Sequence, residues 1–157
     1  MLFNAADILN FAIRIEANGE NLYRQASSAS DEGEIKEVLL ELARQEAEHR
    51  RFFEDMVEKR ENPFGAESLG DEYVRYVMDY IDGRIVFSRE KKERLLATKD
   101  VIGLIEFALE VERDSILFYQ GLRGAVAQRY LGQLEAIVEE EKRHFALLSQ
   151  RRKGLQR

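Results

Sequence analysis

The sequence predicts an all-α protein: a four-helix bundle with a long crossover, containing short helices, between its second and third long helices. Three observations carry this. Apolar residues recur at three- and four-residue steps along four long segments. No segment alternates convincingly as a strand. Finally, two helical hairpins of the same design occupy about residues 7–60 and 100–151, joined by residues of about 61–99. A connection of that length is what a bundle needs when its second and third helices run in the same direction. The whole chain, 1–157, reads as one domain.

The first long helix carries Ile8, Phe11, Ala12, Ile15, Gly19, Leu22, Tyr23 and Ala26 on one stripe, with Asp7 as its expected N-cap. The polar run "SSASDEGE" ends it, and Asp31 with Glu34 suggests a capping-box start for the second. There Ile35, Val38, Leu39, Leu42, Phe53, Met56 and Val57 share a face. "ENPFGAESLG" holds the sole proline and two glycines and ends that helix. Within the crossover, one short helical stretch is expected near Tyr73 to Ile81 and another near Lys91 to Leu96. The third long helix begins near Asp100 and turns Val101, Leu104, Ile105, Ala108, Val111, Ser115, Tyr119 and Leu122 inward. The fourth does the same with Leu131, Leu134, Ile137, Val138, Phe145 and Leu148.

Composition excludes several function classes. With 24 basic and 30 acidic residues the net charge is -6, which argues against nucleic acid as the main partner. Apolar runs are only a few residues long, so no membrane span is expected. The N-terminus lacks the basic start and continuous apolar core of a signal peptide, so a cytoplasmic location is the expectation. Zero cysteines leave no disulfide, no thiolate zinc site and no cysteine-ligated iron centre.

The internal repeat carries the chemistry. "FAIRIEANGENLYRQ" from Phe11 aligns with "FALEVERDSILFYQG" from Phe107, pairing Glu16 with Glu112 and Tyr23 with Tyr119 at a spacing of 96. "RQEAEHRRF" aligns with "EEEKRHFAL" at a spacing of 95, pairing Glu46 with Glu141 and His49 with His144. These are the chain's only 2 histidines, and each follows a glutamate by three residues. By periodicity Glu16, Glu46, His49, Glu112, Glu141 and His144 all face inward.

Four buried carboxylates aimed at one core would repel one another and shift toward neutrality. Two divalent cations resolve the conflict, because four carboxylates neutralise them and two imidazoles complete the coordination. Glutamate and histidine at i and i+3 lie on one helix face and can reach one ion. One glutamate from each of two helices, with Glu-x-x-His from each of the others, is the dinuclear carboxylate arrangement of four-helix bundles. A metal-free scaffold that merely kept the bundle is the competing reading. Glu48, Glu139 and Glu140 read as solvated; Glu20, four residues from Glu16, is placed to approach the site. Tyr23 and Tyr119, each seven residues after an inward glutamate, read either as core aromatics or as hydrogen-bond donors to those carboxylates.

The pairs Glu16…Tyr23, Glu46-Ala-Glu-His49, Glu112…Tyr119 and Glu141-Lys-Arg-His144 resemble the rubrerythrin-type diiron domain of the ferritin-like superfamily, over about Ile8 to Leu148. The resemblance implies a ferritin-like bundle and a non-haem diiron protein that reduces hydrogen peroxide or dioxygen, in oxidative-stress defence or iron handling. Ferroxidase-based iron sequestration is the alternative within the same class. Two metal ions per chain are implied, iron first, with manganese and zinc compatible with the same donors. Rubrerythrins proper add a four-cysteine rubredoxin-like module; its absence here implies a separate electron-donor protein. An extra carboxylate often found three residues after the third helix's glutamate is here Ser115. Phe64, Tyr73 and Phe87 are candidates for a homodimer surface.

Overall fold

The computed structural model describes residues 4–31, 33–65 and 72–156, apart from the side chains of residues 73, 74, 77 and 85–88. It contains five long helices: α1 (Ala5–Ala29), α2 (Gly33–Glu58), α3 (Glu72–Ala97), α4 (Val101–Leu122) and α5 (Gln128–Leu155). Among the described residues the only departure from helices and loops is an isolated antiparallel bridge between Phe64 and Val126.

Two apolar clusters fix the directions of the helices. The first gathers Ile8, Phe11 and Ile15 of α1 with Phe53 and Met56 of α2, and adds Met78 and Ile81 of α3. Phe118 and Leu122 of α4 and Leu134 and Ile137 of α5 complete it. The second gathers Leu22 and Ala26 of α1, Ile35, Leu39 and Leu42 of α2, Leu104, Ile105 and Ala108 of α4, and Leu148 of α5. Hence α1 and α5 run from the first cluster to the second, while α2 and α4 run the other way. The second and third bundle helices, α2 and α4, are therefore parallel, and α3 carries the chain back between them. Burying one such Leu, Ile or Phe contributes about 1.5–3 kcal/mol, so the two clusters supply most of what holds the bundle.

The crossover differs from expectation. In place of two short stretches there is one 26-residue helix, α3, about 39 Å long at 1.5 Å per residue. Gly83 lowers helix propensity by only about 1 kcal/mol. Apolar docking outweighs it: Met78 and Ile81 are buried in the first cluster and Leu95 and Leu96 pack against the second, while Arg84–Asp114 at 2.6 Å and Lys91–Glu110 at 3.5 Å add ties to α4.

The first N-cap also sits elsewhere. Asn4, not Asp7, caps α1: its side chain accepts from the Asp7 amide at 2.9 Å, while Asp7 accepts from the Asn4 amide at 3.0 Å. Asp7 is thus the returning half of a capping box, and it also places its charge in the first turn of the helix dipole. The residue before Gly33, at the start of α2, lies outside the described residues. α4 begins where expected, near Asp100, and Asp100 caps it by accepting from the Gly103 amide at 2.9 Å.

Phe64 is buried in the first cluster, not exposed, so it offers nothing to a dimer surface. Its segment is latched to the α4–α5 loop: the Ala127 amide donates to the Pro63 carbonyl at 2.7 Å and the Gly65 amide to Ala125 at 3.0 Å. The side chains of Tyr73 and Phe87 lie outside the described residues. Among the described residues no helix is long and apolar enough to cross a membrane.

Candidate metal centre

Between the two apolar clusters lies a polar layer. Glu16 from α1, Glu46 and His49 from α2, Glu112 from α4, and Glu141 and His144 from α5 are all buried, at 0–5% exposure. All six inward-facing residues named from the repeat meet there. They form two groups whose ligand atoms lie within 4.8 Å of one another: Glu16, Glu46, His49 and Glu141, and then Glu46, Glu112, Glu141 and His144. Glu46 and Glu141 belong to both.

The histidines reach across the repeat. His49 Nδ1 lies 3.0 Å from Glu141 Oε1 and 3.4 Å from Glu16 Oε2, off the axis for a hydrogen bond to either. His144 Nδ1 lies 3.2 Å from Glu46 Oε1 and 3.3 Å from Glu112 Oε1, but 4.0 Å from Glu141 in its own Glu-x-x-His pair. The two rings are near-parallel, 16° apart, with centroids 6.2 Å from each other.

Glu16 Oε2, His49 Nδ1, Glu112 Oε2 and both oxygens of Glu141 are buried without a hydrogen-bond partner. Natural proteins rarely leave buried polar atoms so, because each orphaned group costs about 1–3 kcal/mol. Five such atoms pointing into one layer form a donor set for cations. Carboxylate oxygens and imidazole nitrogen suit iron, manganese or zinc. The residues present fit a pair of divalent metal ions.

Proton affinities follow the same crowding. Burial, and then the charge of neighbouring carboxylates, pushes Glu46 and Glu141 well above the usual carboxylate range. Burial also acts to raise Glu112, but Glu141, His144 and the Tyr23 hydroxyl outweigh it and hold that carboxyl low. For His49, burial acts downward and is outweighed by the carboxylates of Glu16 and Glu140, which bring it up to about 9.

The tyrosines resolve toward the hydrogen-bonding reading, and crosswise. Tyr23 of α1 donates to Glu112 of α4, while Tyr119 of α4 donates to Glu16 of α1. Both rings are fully buried, and burial with the adjacent carboxylates raises both phenols well above their ordinary value, so each keeps its proton for donation. Gly19 is where α1 makes room for a donor, since a Cβ there would come within 3.2 Å of the Glu46 carboxyl carbon. Ser115, at the corresponding place in the second half, donates to the Val111 carbonyl at 3.0 Å.

Two readings of individual acids change. Glu20 does not approach the centre; it accepts from Arg50 at 2.9 Å and Arg24 at 3.1 Å. Glu140, expected in solvent, instead lies 2.5 Å from His49 Nε2. Its counterpart Gln45, which sequence reasoning passed over, lies with Oε1 2.6 Å from His144 Nε2. The repeat held the signal: each immediately precedes a Glu-x-x-His pair, and the 95-residue offset superimposes them.

The rubrerythrin family model matches residues 7–151, nearly the whole chain. A crystal structure from Thermotoga maritima, of a protein described as ferritin-like and diiron-carboxylate, is similar over 97% of this chain and 96% of that one. The TM-score is 0.71 and the identity 26%. No curated protein sequence matches the chain. With the family match spanning both hairpins and the crossover, and a bundle of the same architecture in the solved relative, the chain belongs to the rubrerythrin family and has the ferritin-like diiron-carboxylate fold.

Proposed function

We propose that this protein holds two iron ions in the polar layer and reduces hydrogen peroxide, taking its electrons from a separate donor protein. The observation that carries the proposal is the pair of four-donor groups sharing Glu46 and Glu141. In this reading Glu46 and Glu141, which belong to both groups, would help to hold both ions. Glu16 and His49 would complete the hold on one, Glu112 and His144 on the other. A pair of Fe(II) ions there would supply the two electrons that reduction of a peroxide requires.

The chain's own groups orient and insulate that chemistry. Tyr119 and Tyr23 fix the carboxylates of Glu16 and Glu112 through their hydroxyl protons. The apolar clusters above and below bury the layer, and burial strengthens the charge interactions inside it. A cavity of about 600 Å³ lies beside α1, α3 and α4, where Ile15, Val111 and Ser115 meet the charged side chains of Arg14, Arg84 and Asp114. The 157 residues contain no cysteine, so they hold no thiolate-ligated electron centre of their own.

The test begins with anaerobic titration of metal-stripped protein with Fe(II). Saturation at about two ions per chain, lost in the Glu46→Ala/His49→Ala variant, supports the site. Stopped-flow oxidation then decides the reaction. Faster consumption of peroxide than dioxygen supports the proposal, and equal or reversed rates shift it to a ferroxidase.

A further inference from the structure

The two halves of the centre differ at one pair of repeat-equivalent positions. His49 Nε2 meets a carboxylate, Glu140 Oε2, at 2.5 Å; His144 Nε2 meets an amide, Gln45 Oε1, at 2.6 Å. In each case the partner comes from the opposite hairpin. Gln45 is oriented by its own amide nitrogen, which donates to Glu41 Oε1 at 2.8 Å, so its oxygen must face the histidine. Glu140 has only acceptors to offer when ionised. Both arrangements therefore keep a proton on Nε2, so that once the ring is neutral the Nδ1 lone pair faces the carboxylates.

The tautomer is the same, but the field is not. A carboxylate accepting the outer N–H of a ligating histidine raises the basicity of the ring and its hold on a metal ion. An amide fixes orientation without the charge. The Glu41 carboxylate behind Gln45 is one bond network further out and is already engaged by Arg44, at 3.0 Å through Nε. Glu140, by contrast, is in direct contact and partly shielded, its side chain 37% exposed, with its nearest cation Arg143 3.9 Å away.

We infer that Glu140 and Gln45 make the two metal positions unequal: the position of Glu16 and His49 binds its ion more tightly and fills first, and that of Glu112 and His144 fills second. This inference rests on the two-ion reading above. Glu140 and Gln45 act through the histidines and are positioning residues, not ligands. An unequal pair would let the protein hold one ion under scarcity and complete the reactive pair only when more metal arrives.

The experiment is anaerobic calorimetric titration of the metal-stripped full chain with Mn(II), and separately with Fe(II), in wild type, Glu140→Gln and Gln45→Glu. Circular dichroism melts confirm that each variant is folded. Glu140→Gln recreates at His49 the environment that Gln45 gives His144. The first ion should bind about tenfold more weakly or worse, with the second changed less than threefold. Gln45→Glu should tighten the second ion and leave the first. If Glu140→Gln leaves both steps unchanged, or weakens both alike, the assignment of unequal positions is overturned while two-ion binding stands. Absence of saturable binding in the wild type would instead overturn the two-ion reading itself, and this inference with it.

Discussion

Replacing Glu141 with leucine separates a metal centre from a purely structural polar layer. Glu141 is fully buried, neither of its oxygens has a hydrogen-bond partner, and burial and neighbouring carboxylates push its pKa upward. Leucine is of similar size and brings no polar atom. Removing a buried acid that has no hydrogen-bond partner relieves a desolvation penalty of about 1–3 kcal/mol. For a chain of this length each kcal/mol moves Tm by about 2–4 °C, so the metal-stripped variant should melt about 2–12 °C above wild type. The loaded protein should behave oppositely. At a hundredfold excess over Kd each bound ion adds about 2.7 kcal/mol, and Glu141 belongs to both donor groups. The metal-dependent rise in Tm should therefore fall to less than half in Glu141→Leu. Circular dichroism melts with and without Mn(II) measure both quantities. A metal-stripped variant that melts below wild type would refute the reasoning, because Glu141 would then be held by protein contacts and not by an ion.

Other expectations follow from the same layer. Tyr23→Phe and Tyr119→Phe each delete a donor to a buried carboxylate, costing about 1.5–3 kcal/mol, and thermal melts should show matching losses because the two bonds are related by the repeat. Gly19→Ala adds up to about 1 kcal/mol of helix propensity yet crowds the Glu46 carboxyl at 3.2 Å; metal titration should show affinity reduced about tenfold without loss of metal-free stability. In the metal-free fold Glu46, Glu141 and His49 retain protons that the unfolded chain releases near 4.5, 4.5 and 6.5. Their contribution is therefore present at low pH and lost as pH rises toward about 9, where His49 titrates in the fold. Metal ions displace those protons. The gap in Tm between loaded and stripped protein should widen between pH 5 and 8, and a constant gap would contradict these shifts.

The bundle and the six inward residues were legible because both rest on periodicity. A glutamate on an apolar stripe, such as Glu16 beside Ile15 and Ala12, has nowhere else to point. What lay beyond periodicity was anything decided by a partner helix. Glu140 sits on the edge of its own stripe, and only the approach of α2 brings His49 within reach of it. The same holds for α3: the expected stretches near Tyr73 to Ile81 and Lys91 to Leu96 are parts of one helix, whose Met78, Ile81, Leu95 and Leu96 dock on the bundle. Sequence alone groups Phe64 with the other aromatics of the crossover as exposed; it is buried, and its segment is held by the latch between Pro63 and Ala127. Asp7 against Asn4 was a shift of three residues within one capping box.

The crosswise bonds of the layer have a consequence for how the molecule comes apart. Helices pack more extensively within each hairpin than between hairpins. Yet Tyr23 bonds Glu112, Tyr119 bonds Glu16, His49 meets Glu140 and His144 meets Gln45, so the closest polar links of the centre span the seam. Neither hairpin owns a complete donor set. Bound ions would therefore work as rivets across the weakest joint of the bundle, and demetallation would open the seam before it unravels either arm.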